Sequence, residues 1–335
     1  MVRAGKREVA SCKAGKSTKG GETMTLTKLL LAVTTAAVLM SPLGASAAEV
    51  KKIGLAVPNL QADFFNQIKL GVEKYAKEKG IDVVVVDAKN DTATQVSQVQ
   101  DLMTQDINAF IYIPAGAAAA AVPTRLAREA GIPVINVDRV PEGAPGDTFI
   151  AGESVDSAYA VCKHIIEKAG GSGKMAIIHG QKGTTPEVDR FTGCKRAIDE
   201  NPSVELVSQQ WSNMWSADEG FSIAQNMLQA NPDIKIIFGQ ADGLAMGAAK
   251  AVDVANLSDK VIIGGYDGDV SALEYLAKCK GPFIATATQS TQRMGVLAVE
   301  SALAVAAGQK VEERQTPNAV LTTCENAPEF VKSHP

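Results

Sequence analysis

The chain has 335 residues, 46% of them hydrophobic, and a mean hydropathy of +0.02, values that are ordinary for a globular protein of one or two domains. Its formal net charge is −4, and the lack of a basic excess argues against binding to a nucleic-acid backbone. Only three histidines and five widely spaced cysteines are present, which argues against a zinc site. We predict no cofactor.

The first 47 residues differ in composition from the rest. Read from Met24, they contain the charged Lys28, an apolar run over 29–40, and the small residues Ala45 and Ala47, in the order of a secretory signal. The apolar run is too short to span a bilayer, which takes ~20 apolar residues. We therefore predict that residues 1–47 are an upstream extension plus a signal peptide that is removed, and that the mature protein is periplasmic.

From residue 51 onward, short β-branched runs alternate with amphipathic segments. In the first half, strands are predicted over 53–57, 82–87, 109–113 and 133–137, and helices over 64–78, 94–104 and 117–130. Strands such as 83–86 are apolar at consecutive positions, as expected when helices cover both faces of a parallel sheet. This half predicts one doubly wound parallel sheet.

The same alternation then starts again. Strands are predicted over 174–179, 205–208, 234–238 and 260–264, and helices over 187–199, 217–230, 245–254 and 270–278. The tail holds a strand, a helix over 292–307 and a last strand, too little for a third domain. We predict an α/β fold of two doubly wound parallel-sheet domains, joined by a hinge with crossings near 152–155, 284–288 and 312–318. The predicted lobes comprise 48–153 with 286–313, and 154–285 with 314–335.

Candidate binding residues follow the predicted strands, and in such sheets ligands lie outside the carboxyl ends of the strands. A ring of hydroxyls needs carboxylate, amide and guanidinium partners, with aromatic rings above and below. The candidates are Phe64, Phe65, Asp138, Arg139, Arg190, Trp215, Asp267 and Gln289. Taken singly, the aromatic residues could be core, and Asp138 with Arg139 could be a surface ion pair.

Enzyme function is the first alternative. The chain has no G-x-S-x-G nucleophile motif,. Asp138 and Asp267 could in principle form a hydrolase acid–base pair, but arginine and amide neighbours give both a simpler role as hydroxyl acceptors. We therefore predict that the protein is not an enzyme.

Several stretches, taken together, resemble a known family. The matching segments are 63–65, 133–139, 183–190, 225–228, 231–233, 242–247 and 265–268. In this order they resemble the type I periplasmic binding proteins of sugar ABC importers, and in particular ribose-binding proteins. The resemblance spans about residues 51–320.

The resemblance implies roles for the candidate residues. Phe64 and Phe65 would stack on a sugar from one lobe and Trp215 from the other, while Asp138, Arg139, Arg190, Asp267 and Gln289 would hydrogen-bond its hydroxyls. Ala62, Ile113 and Ala241 stand where that family usually has asparagines, and each lost hydrogen bond to a buried partner costs about 1–3 kcal/mol. Ribose itself is therefore disfavoured, and Trp215 with Trp211 nearby predicts a pocket reshaped for another pentose, a hexose or a linear polyol.

The resemblance also implies a function. A small sugar or polyol would bind between the lobes of a monomer and favour hinge closure, and the closed form would deliver it to an ABC importer permease. One alternative is a periplasmic sugar or signal-molecule sensor that partners a chemoreceptor. A sugar-responsive transcription regulator shares the two-domain core, but it needs an N-terminal DNA-binding segment where this chain has a signal sequence.

Four cysteines follow the leader: Cys162, Cys194, Cys279 and Cys324. An even number in an exported chain permits disulfides, and four cysteines allow three connectivities. The sequence does not choose among these, and buried free thiols are the alternative. Proximity in the expected fold favours Cys162 with Cys194 and Cys279 with Cys324.

Overall fold

Two six-stranded sheets form the framework of the protein. The computed structural model describes residues 49–333, so the predicted leader over 1–47 lies outside the described residues. The strands are β1 (Lys52–Val57), β2 (Asp82–Asp87), β3 (Ala109–Tyr112), β4 (Val134–Val137), β5 (Thr148–Ile150), β6 (Gly173–His179), β7 (Val204–Trp211), β8 (Ile234–Gly239), β9 (Ile262–Gly264), β10 (Phe283–Gln289), β11 (Arg314–Gln315) and β12 (Ala319–Thr323).

Helices fill the connections between these strands. They are α1 (Asp63–Glu78), α2 (Thr92–Leu102), α3 (Ala121–Glu129), α4 (Ser154–Lys168), α5 (Thr185–Asp199), α6 (Ala217–Ala230), α7 (Asp242–Val254), α8 (Val270–Leu276), α9 (Thr291–Ala306) and α10 (Ala327–Ser333). Among residues 49–333, no helix is both long and apolar enough to cross a membrane.

The strand order is β11-β5-β4-β3-β1-β2 in the first sheet and β12-β10-β9-β8-β6-β7 in the second. All pairings are parallel except β10 with β12. Each sheet has a hydrophobic cluster on both faces, which is why strands such as β2 are apolar at consecutive positions. The predicted fold of two doubly wound α/β units is confirmed.

The last two lobe boundaries differ from the predicted ones. Residues 286–289 were assigned to the first lobe, but β10 lies in the second sheet along its whole length. Arg314 and Gln315 were assigned to the second lobe, yet they pair with β5 in the first sheet. The chain thus crosses at 151–153, at Ser290 and at 316–318. We propose that these three points delimit the lobes. The last lies within the predicted crossing at 312–318, whereas Ser290 lies just after the one predicted at 284–288.

Four of the described elements lack a predicted counterpart: β5, α4, β11 and α10. Strand β5 has only three residues. Helix α4 does show apolar spacing, with Ala158, Val161, Cys162, Ile165 and Ile166 all buried on one face,. The predicted hinge at 152–155 overlaps the first residues of this helix.

Two disulfides have the connectivity that proximity favoured. Cys162 of α4 is bonded to Cys194 of α5 with a Cα–Cα distance of 5.2 Å, and Cys279 to Cys324 with one of 5.0 Å. The two helices approach so closely that a Cβ on Gly193 would lie 2.0 Å from the Val155 carbonyl oxygen. A glycine is required at this contact.

Candidate functional site

The carboxyl ends of both sheets face a small cavity of about 40 Å³. Seven of the eight candidate residues line it: Phe64, Phe65, Asp138, Arg139, Arg190, Trp215 and Asp267. The eighth, Gln289, lies behind the wall and donates a hydrogen bond from Nε2 to Asp267 Oδ1 at 3.1 Å. Side chains from both lobes therefore converge at one place.

The aromatic pair of the first lobe belongs to both the wall and the core. Phe64 and Phe65 lie in the first turn of α1, and their rings meet edge to face at 5.2 Å between centroids. Both are at most 6% exposed and pack in the hydrophobic cluster of the first sheet. The core interpretation and the binding interpretation are thus compatible.

Arg139 follows β4 and is the cationic residue that the first lobe contributes to the cavity lining. It is 3% exposed, and its Nε lies 3.4 Å from Asp138 Oδ2. Its Nη1 donates to the Pro114 carbonyl oxygen at 2.9 Å and to Gln181 Oε1 at 3.3 Å. The buried pair with Asp138 rules out the surface ion-pair interpretation.

Arg190 of α5 is the cationic residue that the second lobe contributes to the cavity lining. Its Nη2 lies 3.0 Å from Asp267 Oδ1, and its Nη1 donates to the Gln240 carbonyl oxygen. The guanidinium also lies 3.9 Å from the centroid of the Tyr266 ring, a cation–π contact. Because Arg190 is only 2% exposed, these contacts fix its orientation towards the cavity.

Trp215 lies between the two arginines. The guanidinium carbons of Arg139 and Arg190 are each 5.7 Å from the indole centroid. The six-membered ring rests on Gly180, where an added Cβ would lie 1.7 Å from an indole carbon. Trp211, which was expected to help reshape the pocket, is instead 41% exposed, stacks on His179 at 4.6 Å and does not line the cavity.

Three wall residues have left-handed backbone conformations. The φ angles are 59° for Asp138, 59° for Trp215 and 124° for Asp267. Such angles are uncommon outside glycine and cost of order 1–3 kcal/mol each, and they cluster at functional sites.

Buried carboxyls dominate the electrostatics behind the cavity. Burial raises the pKa of Asp267 to about 8, with contributions from Asp242 and Asp138 that Arg190 opposes. Burial also raises the pKa of Asp242 to about 6, although Thr286 Oγ1 and the amides of Gly268 and Asp269 donate hydrogen bonds to it. Ionisation of these two carboxyls therefore costs free energy. A ligand that donates hydrogen bonds to them would reduce that cost.

Two of the three positions that depart from the family pattern lie at the cavity. Ala62 and Ala241 line it, whereas Ile113 is fully buried in the core of the first sheet. Sequence reasoning missed Asp269, which lines the same wall. Its place two residues after Asp267, at the start of α8, is the signal that could have identified it.

The two lobes touch at several points around the cavity. The Val270 amide donates to Asp63 Oδ2 at 3.3 Å, and the Val140 amide donates to Thr185 Oγ1 at 3.2 Å. A third contact joins Asn90 Nδ2 to Met214 Sδ at 3.7 Å. Since β2 and β7 are the sheet edges farthest from the crossings, this last contact lies at the mouth of the cleft.

A larger cavity of about 590 Å³ lies beside the Cys279–Cys324 disulfide. Residues of the second lobe alone line it, including Lys168, Phe283 and Leu321. It lies next to the first residue of β10, at the end of the second sheet opposite the cleft. A cavity so placed cannot couple a ligand to the closure of two lobes.

Comparisons with known proteins agree with this geometry. The family model described as a periplasmic binding protein domain matches residues 53–310. The ribose import binding protein of Bacillus subtilis is 32% identical over 78% of this chain and 83% of its own length.

Solved structures give the same result. A periplasmic solute-binding protein of an ABC transporter from Actinobacillus succinogenes, with bound D-allose, superposes with a TM-score of 0.77 at 28% identity, over 84% of this chain and all of that one. A solute-binding protein from Bacillus halodurans, with bound myo-inositol, gives 0.79 at 26% identity, over 86% of this chain and 99% of that one. These relatives are binding proteins, so the prediction that the chain is not an enzyme is confirmed.

Proposed function

Because this chain belongs to the periplasmic binding protein domain family, we propose that it is the solute-binding protein of an ABC importer and closes its two lobes around a monosaccharide or polyol. Relatives that carry D-allose and myo-inositol support this ligand class. The eight residues predicted from the sequence form the proposed site.

One observation carries the proposal most directly. Arg139 and Arg190 come from different lobes, yet both lie 5.7 Å from the centroid of the same indole, that of Trp215. A hydroxylated ring that replaces part of this stack would touch both arginines and the aromatic residues at once. Its binding free energy would then depend on the distance between the lobes.

Such a ligand acts by shifting the hinge equilibrium. The cavity of about 40 Å³ is close to the ~30 Å³ that one water occupies, and it is far smaller than a monosaccharide. Access therefore requires the lobes to separate or the Trp215 indole to move. A ligand that contacts both lobes favours the closed arrangement by its differential affinity.

Delivery follows from closure. The closed protein, a periplasmic monomer in this proposal, presents a surface made of both lobes to the permease. Release of the ligand then reopens the cleft. The importer thus receives ligand only from proteins in which the lobe contacts, such as Val270 with Asp63, are formed.

A thermal-shift screen of neutral pentoses, hexoses and polyols tests the ligand class. A ligand at 100 times its Kd adds about 2.7 kcal/mol to the free energy of unfolding, so at least one compound is expected to raise Tm by several degrees. Trp215→Ala is expected to abolish that shift, because it removes the ring shared by both arginines. Trp211→Phe is the matched control, since Trp211 lies outside the cavity, and it should keep the shift.

Uptake of the best ligand by cells tests delivery. Deletion of the gene should abolish uptake, and the wild-type and Trp211→Phe proteins should restore it while Trp215→Ala does not. Absence of any thermal shift across the screen would contradict the proposed ligand class. Normal uptake in the deletion strain would contradict the delivery role.

A further inference from the structure

The carboxylate of Asp269 has no partner in the wall of the cleft. Asp269 lines the cavity and is the N-cap residue of α8, but its side chain makes no cap hydrogen bond. Among residues 49–333, its hydrogen bonds are those of the backbone: the amide donates to Asp242 Oδ2 at 2.9 Å, and the carbonyl oxygen accepts from the Leu273 amide at 2.9 Å. The carboxylate is therefore not needed to hold the local fold together.

The other charges of the wall are already paired. Arg139 lies beside Asp138 at 3.4 Å, and Arg190 beside Asp267 at 3.0 Å. No lysine, arginine or histidine of the described chain forms an ion pair with Asp269. The cavity lining thus holds three carboxyl groups against two guanidinium groups, and Asp269 is the carboxyl group with no cation beside it in the described structure.

Unpaired donors occur in the same wall. Arg190 Nε and Trp215 Nε1 are buried and have no hydrogen-bond partner within the described part of the chain. Arg190 is 2% exposed, and leaving a buried donor without a partner is costly. The wall therefore offers N–H groups suited to ligand oxygens as well as one free carboxylate suited to a cation.

We propose that the ligand is a polyhydroxylated molecule with a protonated amine, an amino sugar or an amino polyol, whose ammonium group pairs with Asp269. This inference rests on the proposed function and narrows its ligand class. The hydroxyls accept hydrogen bonds from the unpaired donors of Arg190 and Trp215. The ammonium group supplies the cationic partner that Asp269 lacks among the described residues.

The surroundings of Asp269 favour a cation. Burial raises the pKa of the Asp269 carboxyl well above its usual range, and the carboxyls of Asp267, Asp242 and Asp63 raise it further, while Arg190 opposes them. Ala62 and Ala241, on the same lining, offer no polar side chain to a neutral hydroxyl. A bound ammonium group offsets the carboxylate charge and also donates hydrogen bonds.

Matched pairs of ligands test the inference by calorimetry at pH 7. The pairs are glucosamine with glucose, galactosamine with galactose, and 1-amino-1-deoxysorbitol with sorbitol. In the wild-type protein the aminated member of at least one pair is expected to bind about tenfold or more tightly than its neutral partner, as for a charge-assisted hydrogen bond. In Asp269→Asn that preference should fall to within about twofold, because the isosteric amide carries no charge.

Asp259→Asn is the matched control. Asp259 is an exposed acid of the same lobe, outside the cavity, so the variant makes the same charge change and should keep the preference. Equal or tighter binding of the neutral member in every pair overturns the inference and leaves the proposed function intact. A preference that survives in Asp269→Asn also overturns it. Absence of binding by all six compounds, together with no shift in the neutral screen, overturns both.

Discussion

At the scale of single residues, the pair of Arg190 and Asp267 is the most exacting feature of the cleft. The two side chains are 3% and 8% exposed and lie 3.0 Å apart. Breaking a buried ion pair by removing one partner typically costs 3–5 kcal/mol, because the other charge is left uncompensated. The loss of either residue therefore affects folding as well as binding.

Arg190→Met should lower the free energy of unfolding by about 3–5 kcal/mol at pH 8. The double variant Arg190→Met with Asp267→Asn should recover part of this loss, since no lone charge is then buried. Urea denaturation of both single variants and the double variant gives the coupling free energy. Additive losses would show that the two charges do not interact.

The sequence identified most cleft residues but not their arrangement. Asp138, Arg139 and Asp267 were found because each follows a predicted strand, and parallel strands bring their carboxyl ends to one edge. Asp269 was missed because it lies two residues after Asp267, farther from the end of the strand than the residues that the rule selects. The prediction that Trp211 helps to shape the pocket was wrong, because Trp211 does not line the cavity. The indole directions of Trp211 and Trp215 depend on Gly180 and His179, which are distant contacts that no local pattern encodes.

At the scale of elements, the two disulfides differ in exposure. Cys162 and Cys194 are fully buried between α4 and α5. Cys279 is exposed at the end of α8, next to the cavity of about 590 Å³. Attack by a thiolate requires access to a sulfur, so one bond is protected and the other is open to reagents.

Mild reduction of the folded protein should therefore be selective. With dithiothreitol and no denaturant, we expect Cys279 and Cys324 to be alkylated well before Cys162 and Cys194, as measured by peptide mass spectrometry. Reduction in urea, which exposes every sulfur, is the control and should label all four. Equal labelling of both pairs in the native protein would contradict this exposure argument.

Element boundaries illustrate what the sequence can predict. Helix α6 and strand β2 have the predicted limits. In α6 an apolar helical period is flanked by Ser216 and Asn231, and in β2 a run of four valines is bounded by Asp82 and Asp87. Strand β11 was not predicted, since Arg314 and Gln315 have no strand pattern. Only its pairing with β5 defines it, and that pairing joins distant parts of the chain.

At the scale of the whole molecule, raised carboxyl pKa values link stability to pH. Burial raises the pKa of Asp267 from 3.8 to about 8 and that of Asp242 from 3.8 to about 6. Between the unfolded and folded pKa values, the folded state binds more protons than the unfolded state. The free energy of unfolding therefore falls as pH rises through this window.

The unliganded protein should accordingly be more stable at pH 6.5 than at pH 8. Below pH 6.5 the half-buried His164, whose pKa is lowered by burial and by Lys168, resists protonation and acts in the opposite direction. Urea denaturation at half-unit steps from pH 6.5 to 8 measures the slope, and Asp267→Asn should reduce it. A stability that rises with pH over this range would contradict the prediction.

The order of segments along the chain has a consequence for synthesis. Helix α9 supplies Met294, Ala298, Val299 and Ala302 to the same core as Phe64 and Ile68, although these residues are separated by the entire second lobe. The first lobe, although translated first, cannot complete its core until nearly all of the polypeptide has left the ribosome. The first lobe therefore stays incompletely folded for most of the elongation of the chain, a delay that suits the periplasmic location we propose, because a secretion channel threads extended polypeptide.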